Sequence, residues 1–145
     1  MKRTPELTPL SHEHHHALVV AMVLKRATGP EPAGAFVDFH RSEGEQHFRI
    51  EEQVLLPGWL AADPEADREA AARVLGEHLE LRAAVRRFES GEATAEEVQR
   101  IGRLLEAHVR YEERELFPAI ETALDDDALA ALGAAIAAAD APASA

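Results

Sequence analysis

One motif occurs twice in the chain, first as His47-Phe48-Arg49-Ile50-Glu51-Glu52-Gln53-Val54-Leu55-Leu56-Pro57 and again as His108-Val109-Arg110-Tyr111-Glu112-Glu113-Arg114-Glu115-Leu116-Phe117-Pro118. In both copies a glutamate follows a histidine by four residues. Four residues of α-helix turn about 400° and rise ~6 Å, so both side chains leave the same face. A leucine four residues further on marks that face as the inward one. The motif therefore predicts two helices that each direct an imidazole and a carboxylate into the core, where the carboxylate needs a compensating cation.

Two further helical segments each contain a glutamate followed by a histidine, in Glu13-His14 and Glu77-His78. His14 lies between two leucines at four-residue spacing, and His78 lies beside an apolar stripe. Because three consecutive histidines stand on the first helix, His15 is an alternative to His14 or a fifth imidazole. The candidate metal ligands are His14 (or His15), His47, Glu51, His78, His108 and Glu112. Four imidazoles and two carboxylates suit iron, manganese or zinc, and six ligands match two ions better than one. Because most of these ligands are imidazoles, iron is favoured over manganese.

The composition narrows the class of protein. The chain has 145 residues, enough for one domain, and only 5% of them are aromatic, while helix-forming Ala, Leu, Glu and Arg dominate. With 27 acidic residues against 15 basic ones the formal charge is -12, which argues against a nucleic-acid partner. The absence of cysteine excludes thiolate metal sites, iron–sulfur clusters and disulfides. No stretch reaches signal-peptide or membrane-spanning length, so we expect a cytoplasmic protein without a membrane partner.

The helix boundaries follow from turn and capping signals. The first helix is predicted from about Thr8-Pro9-Leu10 to Thr28 with Thr8 or Ser11 as its cap, and the second from Ala35 to Leu56, ending at Pro57-Gly58. Asp63-Pro64-Glu65 opens the third helix, which ends at Ser90-Gly91, and the capping box Thr94-Ala95-Glu96-Glu97 opens the fourth. These segments predict an all-α, up-down-up-down antiparallel four-helix bundle over residues 1–124. Residues 125–145 are predicted to form a short Ala-rich helical tail that frays from Ala141 on.

The motif set resembles the hemerythrin-like, HHE cation-binding domain proteins over nearly the whole chain. The resemblance is carried by Leu10-Ser11-His12-Glu13-His14, His47…Glu51-Glu52…Leu55-Leu56-Pro57, Glu77-His78 and His108…Glu112-Glu113…Leu116-Phe117-Pro118. It implies a four-helix bundle around an oxo- or hydroxo-bridged non-haem di-iron site that binds dioxygen, senses oxygen or iron, or handles peroxide or nitric oxide. By matching position, the four histidines would be terminal ligands, and Glu51 and Glu112 would be bridging carboxylates.

The chain also departs from the oxygen-carrying hemerythrins. Their third helix has two histidines four residues apart, whereas Val74 and Arg82 flank His78 at that spacing. Their fourth helix places its carboxylate five residues after the histidine, where this chain has Glu113 directly after the better-placed Glu112. A changed set of ligands alters the redox potential and opens a coordination position. The sequence therefore favours a sensor or a peroxide- or NO-reactive protein over a reversible oxygen carrier.

The leading hypothesis is a di-iron protein that binds or reacts with dioxygen, peroxide or nitric oxide. It leaves open whether the protein turns a substrate over as an enzyme. The alternatives are an iron or oxygen sensor or an iron store without turnover, and a structural bundle with adventitious zinc. Among the remaining polar residues, we expect Glu52 and Glu113 to be solvated partners of arginines, since each points about 100° away from its motif neighbour. His12 and His16 are expected to face solvent, and His40 to be an ordinary surface or core histidine.

Overall fold

The structure is a computed structural model that describes residues 2–141. Across this range the chain is helical and contains no strand. Of the predicted fraying end, residues 142–145 lie outside the described part. No helix within the described range combines the length and the apolar character that crossing a membrane requires.

The helices have the following bounds: α1 Thr8–Lys25, α2 Ala33–Phe39, α3 Glu45–Ile50, α4 Leu56–Ala62, α5 Arg68–Glu89, α6 Ala95–Tyr111, α7 Phe117–Ala123 and α8 Asp126–Asp140. Three π-helical turns, His40–Gly44, Glu51–Leu55 and Glu112–Leu116, join some of them end to end. The second long helix is therefore continuous over residues 33–62, and the fourth over residues 95–123.

The four long helices form a bundle in which neighbours along the chain lie side by side. α1 packs against α2 and α6, and α5 packs against the same two helices from the other side. The short loops between successive helices make neighbours antiparallel. The predicted all-α, up-down-up-down antiparallel four-helix bundle is confirmed.

The predicted end of the second helix at Pro57-Gly58 was wrong, because the helix continues to Ala62. A proline inside an α-helix normally clashes with the carbonyl four residues before it. Here the amide of Leu56 bonds to the carbonyl of Glu51, five residues back, so a wider turn immediately precedes the proline. The amide of Phe117 bonds to the carbonyl of Glu112 in the same way, ahead of the second motif's proline.

Helix starts were predicted with mixed success. The Thr94 cap is confirmed, since its side chain accepts from the amide of Glu97. The first helix has no side-chain cap, so the prediction of Thr8 or Ser11 as its cap was wrong. This helix also ends at Lys25 rather than near Thr28. The third helix begins at Arg68, where Asp67 caps it, and not at the earlier Asp-Pro-Glu turn.

Two apolar clusters fill the bundle, one toward each end. One cluster includes Val20, Leu24, Phe36, Leu81 and Ile101. The other includes Leu10, Leu55, Trp59, Val74 and Leu116, and α8 covers it with Leu129, Leu132 and Ile136. Between these clusters, the inward faces of the four long helices carry the candidate metal ligands, which form one polar layer across the bundle. The two apolar clusters therefore shield this layer from water on both sides.

Candidate metal centre

The structure brings six buried polar side chains into one layer of the bundle. α1 and α5 each contribute one histidine, and the second and fourth long helices each contribute a histidine and the glutamate four residues after it. The six are His14, His47, Glu51, His78, His108 and Glu112. Each π-helical turn of the repeated motif begins at its glutamate, so the irregular turn lies directly beside the layer.

Each glutamate lies between two histidines from different helices. Glu51 has one oxygen 3.2 Å from Nε2 of His47 and the other 3.0 Å from Nε2 of His78. Glu112 has one oxygen 2.7 Å from Nε2 of His14 and the other 3.5 Å from Nε2 of His108. The contacts of the first half are thus repeated in the second half, as the duplicated motif requires.

The six side chains form two overlapping groups, and the ligand atoms within each group lie within 4.8 Å of one another. One group contains His14 and His47, the other contains His78 and His108, and both contain Glu51 and Glu112. The two carboxylates are therefore shared, while each pair of histidines belongs to one group. Such an arrangement has room for two cations side by side.

The inward-facing atoms fit a cation because they have no other partner. Among the described residues, Nε2 of all four histidines and both carboxylate oxygens of Glu51 and Glu112 form no hydrogen bond. These atoms approach each other closely, but not in directions that make hydrogen bonds. Leaving so many buried polar atoms unsatisfied is costly, and a metal ion satisfies nitrogen and carboxylate donors together.

A second set of four glutamates holds the histidine rings in place. Nδ1 of each ring donates to one of them, with distances of 2.7 Å for His14–Glu113, 3.2 Å for His47–Glu13, 2.7 Å for His78–Glu52 and 2.8 Å for His108–Glu77. Such bonds fix the tautomer so that the lone pair of Nε2 faces inward, and they strengthen the imidazole as a donor. We call these four residues the outer carboxylates.

The roles of the outer carboxylates are only partly predictable from the sequence. Glu52 and Glu113 do accept from arginines, Arg82 and Arg3 respectively, but each also holds a histidine of the neighbouring helix. The roles of Glu13 and Glu77 were missed. A usable signal was present, because each of the four is adjacent in sequence to one of the six candidate ligands, and at the same register in both halves of the chain.

The charges in the layer shift the pKa values of its members. Burial lowers the pKa of His14, but the adjacent carboxylates of Glu112 and Glu113 outweigh it and raise that pKa to about 9. Burial also lowers the pKa of His47 and of His108, but the nearby carboxylates outweigh this effect, so both pKa values are raised. Burial and the repulsion of Glu51 raise the pKa of Glu112. Protons and a cation therefore compete for the same imidazole nitrogens.

The other residues considered from sequence lie elsewhere. His15 is exposed on the outer face of α1, as are His12 and His16, so the geometry selects His14 at this position of the layer. His40 is buried and pairs through Nε2 with Glu45 at 2.8 Å. Val74 belongs to an apolar cluster. Arg82, one turn after His78, forms hydrogen bonds with carboxylates outside the layer.

A small cavity lies against the layer. Its volume is about 20 Å³, counted as the space that the centre of a water molecule can occupy. Roughly 10–15 Å³ on that measure holds one water. The polar residues that line the cavity are His14, His47, His108, Glu13 and Glu43, and the apolar ones are Ala17, Phe39, Phe48, Leu105 and Val109. The cavity is therefore of the size of one water molecule or another small ligand.

The family model described as the hemerythrin HHE cation binding domain matches residues 7–120, a range that contains all six side chains of the layer and the four outer carboxylates. No curated protein and no solved structure matches the chain.

Proposed function

The chain belongs to the hemerythrin HHE cation-binding domain family, and from that premise we propose that it is a non-haem di-iron protein which binds or reacts with dioxygen, peroxide or nitric oxide. One observation carries the proposal. Two groups of buried donors, each with two histidines, share both of their carboxylates. A single-ion site would need no second pair of histidines on the far side of the same two glutamates.

Each of the two groups of donors would hold one ion. His14 and His47 would hold one ion, His78 and His108 the other, and Glu51 and Glu112 would contact both. Bound iron would supply a redox-active Lewis acid at this position. Nitrogen and oxygen donors without thiolate suit iron. A structural zinc site is usually closed by four ligands around one ion, whereas here two groups of donors share their carboxylates.

The chain's own side chains set the environment for a small ligand. The outer carboxylates keep the four imidazoles in one orientation, so little reorganisation is needed when a ligand arrives. The two apolar clusters exclude bulk water from the layer. The cavity beside His14, His47 and His108 has room for a ligand of the size of dioxygen, nitric oxide or peroxide.

The missing second histidine of α5 favours reaction over reversible carriage. Val74 and Arg82 stand at the two positions where the resemblance to oxygen carriers would allow it. Val74 packs in an apolar cluster, and the guanidinium of Arg82 is engaged by Glu45 and Glu52 instead of facing the layer. The group containing His78 therefore has two imidazoles and two shared carboxylates, with coordination positions left for a reacting molecule.

Anaerobic loading of the metal-free protein with Fe(II) tests the proposal. We expect about two iron ions per chain, followed by a change in visible absorption when dioxygen, peroxide or nitric oxide is added. Repeated turnover with peroxide or nitric oxide would assign an enzymatic role, and binding without turnover a sensing or storage role. A protein that stays colourless in air after loading, and that holds zinc in preference to iron, would contradict the di-iron proposal.

A further inference from the structure

We propose that divalent cations reach the buried layer through the face between α1 and the second long helix, and that His16 and Glu43 form the outer capture pair on this route. The inference rests on the proposed metal centre and adds to it the path by which the centre is filled.

On this face, donor groups run from the surface to the interior. The exposed fraction of the side chain falls from 51% at His16 to 38% at Glu43, 27% at Glu13, 8% at His47 and 0% at Glu51. His16 bonds to Glu43 through Nδ1. Glu13 lies 3.2 Å from Nδ1 of His47, whose Nε2 lies 3.2 Å from Glu51. Every member offers a nitrogen or oxygen ligand to a cation.

The cavity described above lies at the middle of this series of donor groups. Glu43 and Glu13 line it together with His14 and His47. The last two are buried, and their Nε2 atoms have no hydrogen-bond partner among the described residues. A cation that enters between the two glutamates can exchange its water molecules for carboxylate oxygens before it meets the imidazoles.

In the described part of the chain, Glu13 is the outer carboxylate that no arginine pairs with. Arg82 pairs with Glu52 at 2.6 Å. Glu77 pairs with Arg73, and Glu113 pairs with Arg3, each at 3.4 Å. Within residues 2–141, Glu13 and Glu43 have ion-pair partners only among histidines. A paired arginine neutralises the charge of its carboxylate, so those three sides attract a cation less strongly than the side of Glu13.

The end of α8 adds further negative charge beside the route. The carbonyl of Ala139 accepts from the side chain of Gln46, one residue before His47. Asp140 is close enough to Glu13 that burial, and then the charge of Glu13, raise the pKa of the Asp140 carboxyl. The C-terminal end of a helix also carries partial negative charge. These groups together give the face an attractive potential for cations.

The rate of Co²⁺ uptake by the metal-free full chain tests the route. We expect Glu43→Lys to slow uptake by about tenfold at low salt, because it reverses the charge at the mouth. The difference should shrink as salt is added. The final number of ions bound should be unchanged, since the Glu43 side chain is not among the inward donors. Glu43→Gln, which removes the charge with less disturbance, should slow uptake by a smaller factor.

Glu80→Lys is the matched control, because Glu80 is exposed on α5 and the substitution makes the same change of charge. It should load at nearly the wild-type rate. Wild-type rates in both Glu43 variants, or equal slowing by Glu80→Lys, would overturn the route and leave the metal centre standing. A wild-type chain that takes up no Co²⁺ would overturn both.

Discussion

Arg82 donates from Nη1 to an oxygen of Glu52 over 2.6 Å, one helical turn beyond the buried His78. The same oxygen accepts from Nδ1 of His78 over 2.7 Å. Through Nε and Nη2 the guanidinium also binds both oxygens of Glu45, at 3.0 and 3.1 Å. The hydrogen bonds from Arg82 lower the pKa of Glu45 to about 2. One arginine thus ties α5 to the second long helix and steadies a carboxylate that orients a candidate ligand.

Replacing this arginine should weaken the metal-free bundle. Arg82→Met removes the hydrogen bonds to two carboxylates and should lower the free energy of unfolding by ~1–2 kcal/mol, a modest value because the group is partly exposed. Arg82→Lys keeps the charge but not the forked geometry, so its free energy of unfolding should lie between those of the wild type and Arg82→Met. Urea denaturation with a chelator present measures the change. A methionine variant as stable as wild type would show that the network contributes nothing.

The candidate ligands can be tested in pairs that the repeat makes equivalent. His47→Ala and His108→Ala each remove one imidazole from one group, and each should reduce binding to about one ion per chain. Glu112→Ala removes a carboxylate shared by both groups and should bind less than either. All three should melt at lower temperature in the presence of iron, because bound metal stabilises the folded state. Metal analysis gives the stoichiometry.

His12→Ala is the control for these variants, since His12 is exposed on α1. Its iron content should match that of the wild type. If His47→Ala and Glu112→Ala also retained full iron content, the assignment of the layer as a metal centre would be wrong.

The metal-free protein should lose stability as the pH rises. The pKa of His14 is about 9 in the folded state against an ordinary value of 6.5. The folded state therefore binds this proton more tightly, and the resulting stabilisation is complete below about pH 6.5 and lost as the pH rises through about 9. His47 and His108 act with the same sign. Urea midpoints measured with chelator from pH 6 to 10 should fall, whereas constant or rising midpoints would contradict the shifts.

Two helical glycines should respond to alanine in opposite directions. A Cβ on Gly102 would lie 2.8 Å from Cβ of Leu24 and 2.8 Å from the backbone nitrogen of Lys25, so α1 would have to move away from α6. Gly102→Ala should destabilise the protein by ~1–3 kcal/mol. A Cβ on Gly76, on the exposed face of α5, would meet no atom within 4 Å. Gly76→Ala should stabilise by ~0.5–1 kcal/mol through helix propensity. Thermal unfolding of both variants distinguishes a packing constraint from a general effect of glycine.

The sequence by itself determined the four long helices and, for the two helices that carry the repeated motif, the face that turns inward. The spacing from His47 to Glu51 to Leu55, and its repeat from His108, is a local property of an α-helix. It therefore identifies an inward face without reference to any other helix. The same applies to the cap at Thr94, which depends on a hydrogen bond to a residue three positions away.

Tertiary structure alone decided how these faces meet. Whether His14 or His15 faces inward depends on the rotation of α1 against its neighbours, because one residue changes the direction by about 100°. The continuation of the helix past Pro57 depends on a wider turn that local patterns do not predict. The outer carboxylates and Arg82 act across helices, on residues far away in sequence, so their partners are fixed only when the bundle packs. Periodicity sets which face a residue occupies, whereas charge pairing between helices depends on distances that the packed structure alone supplies.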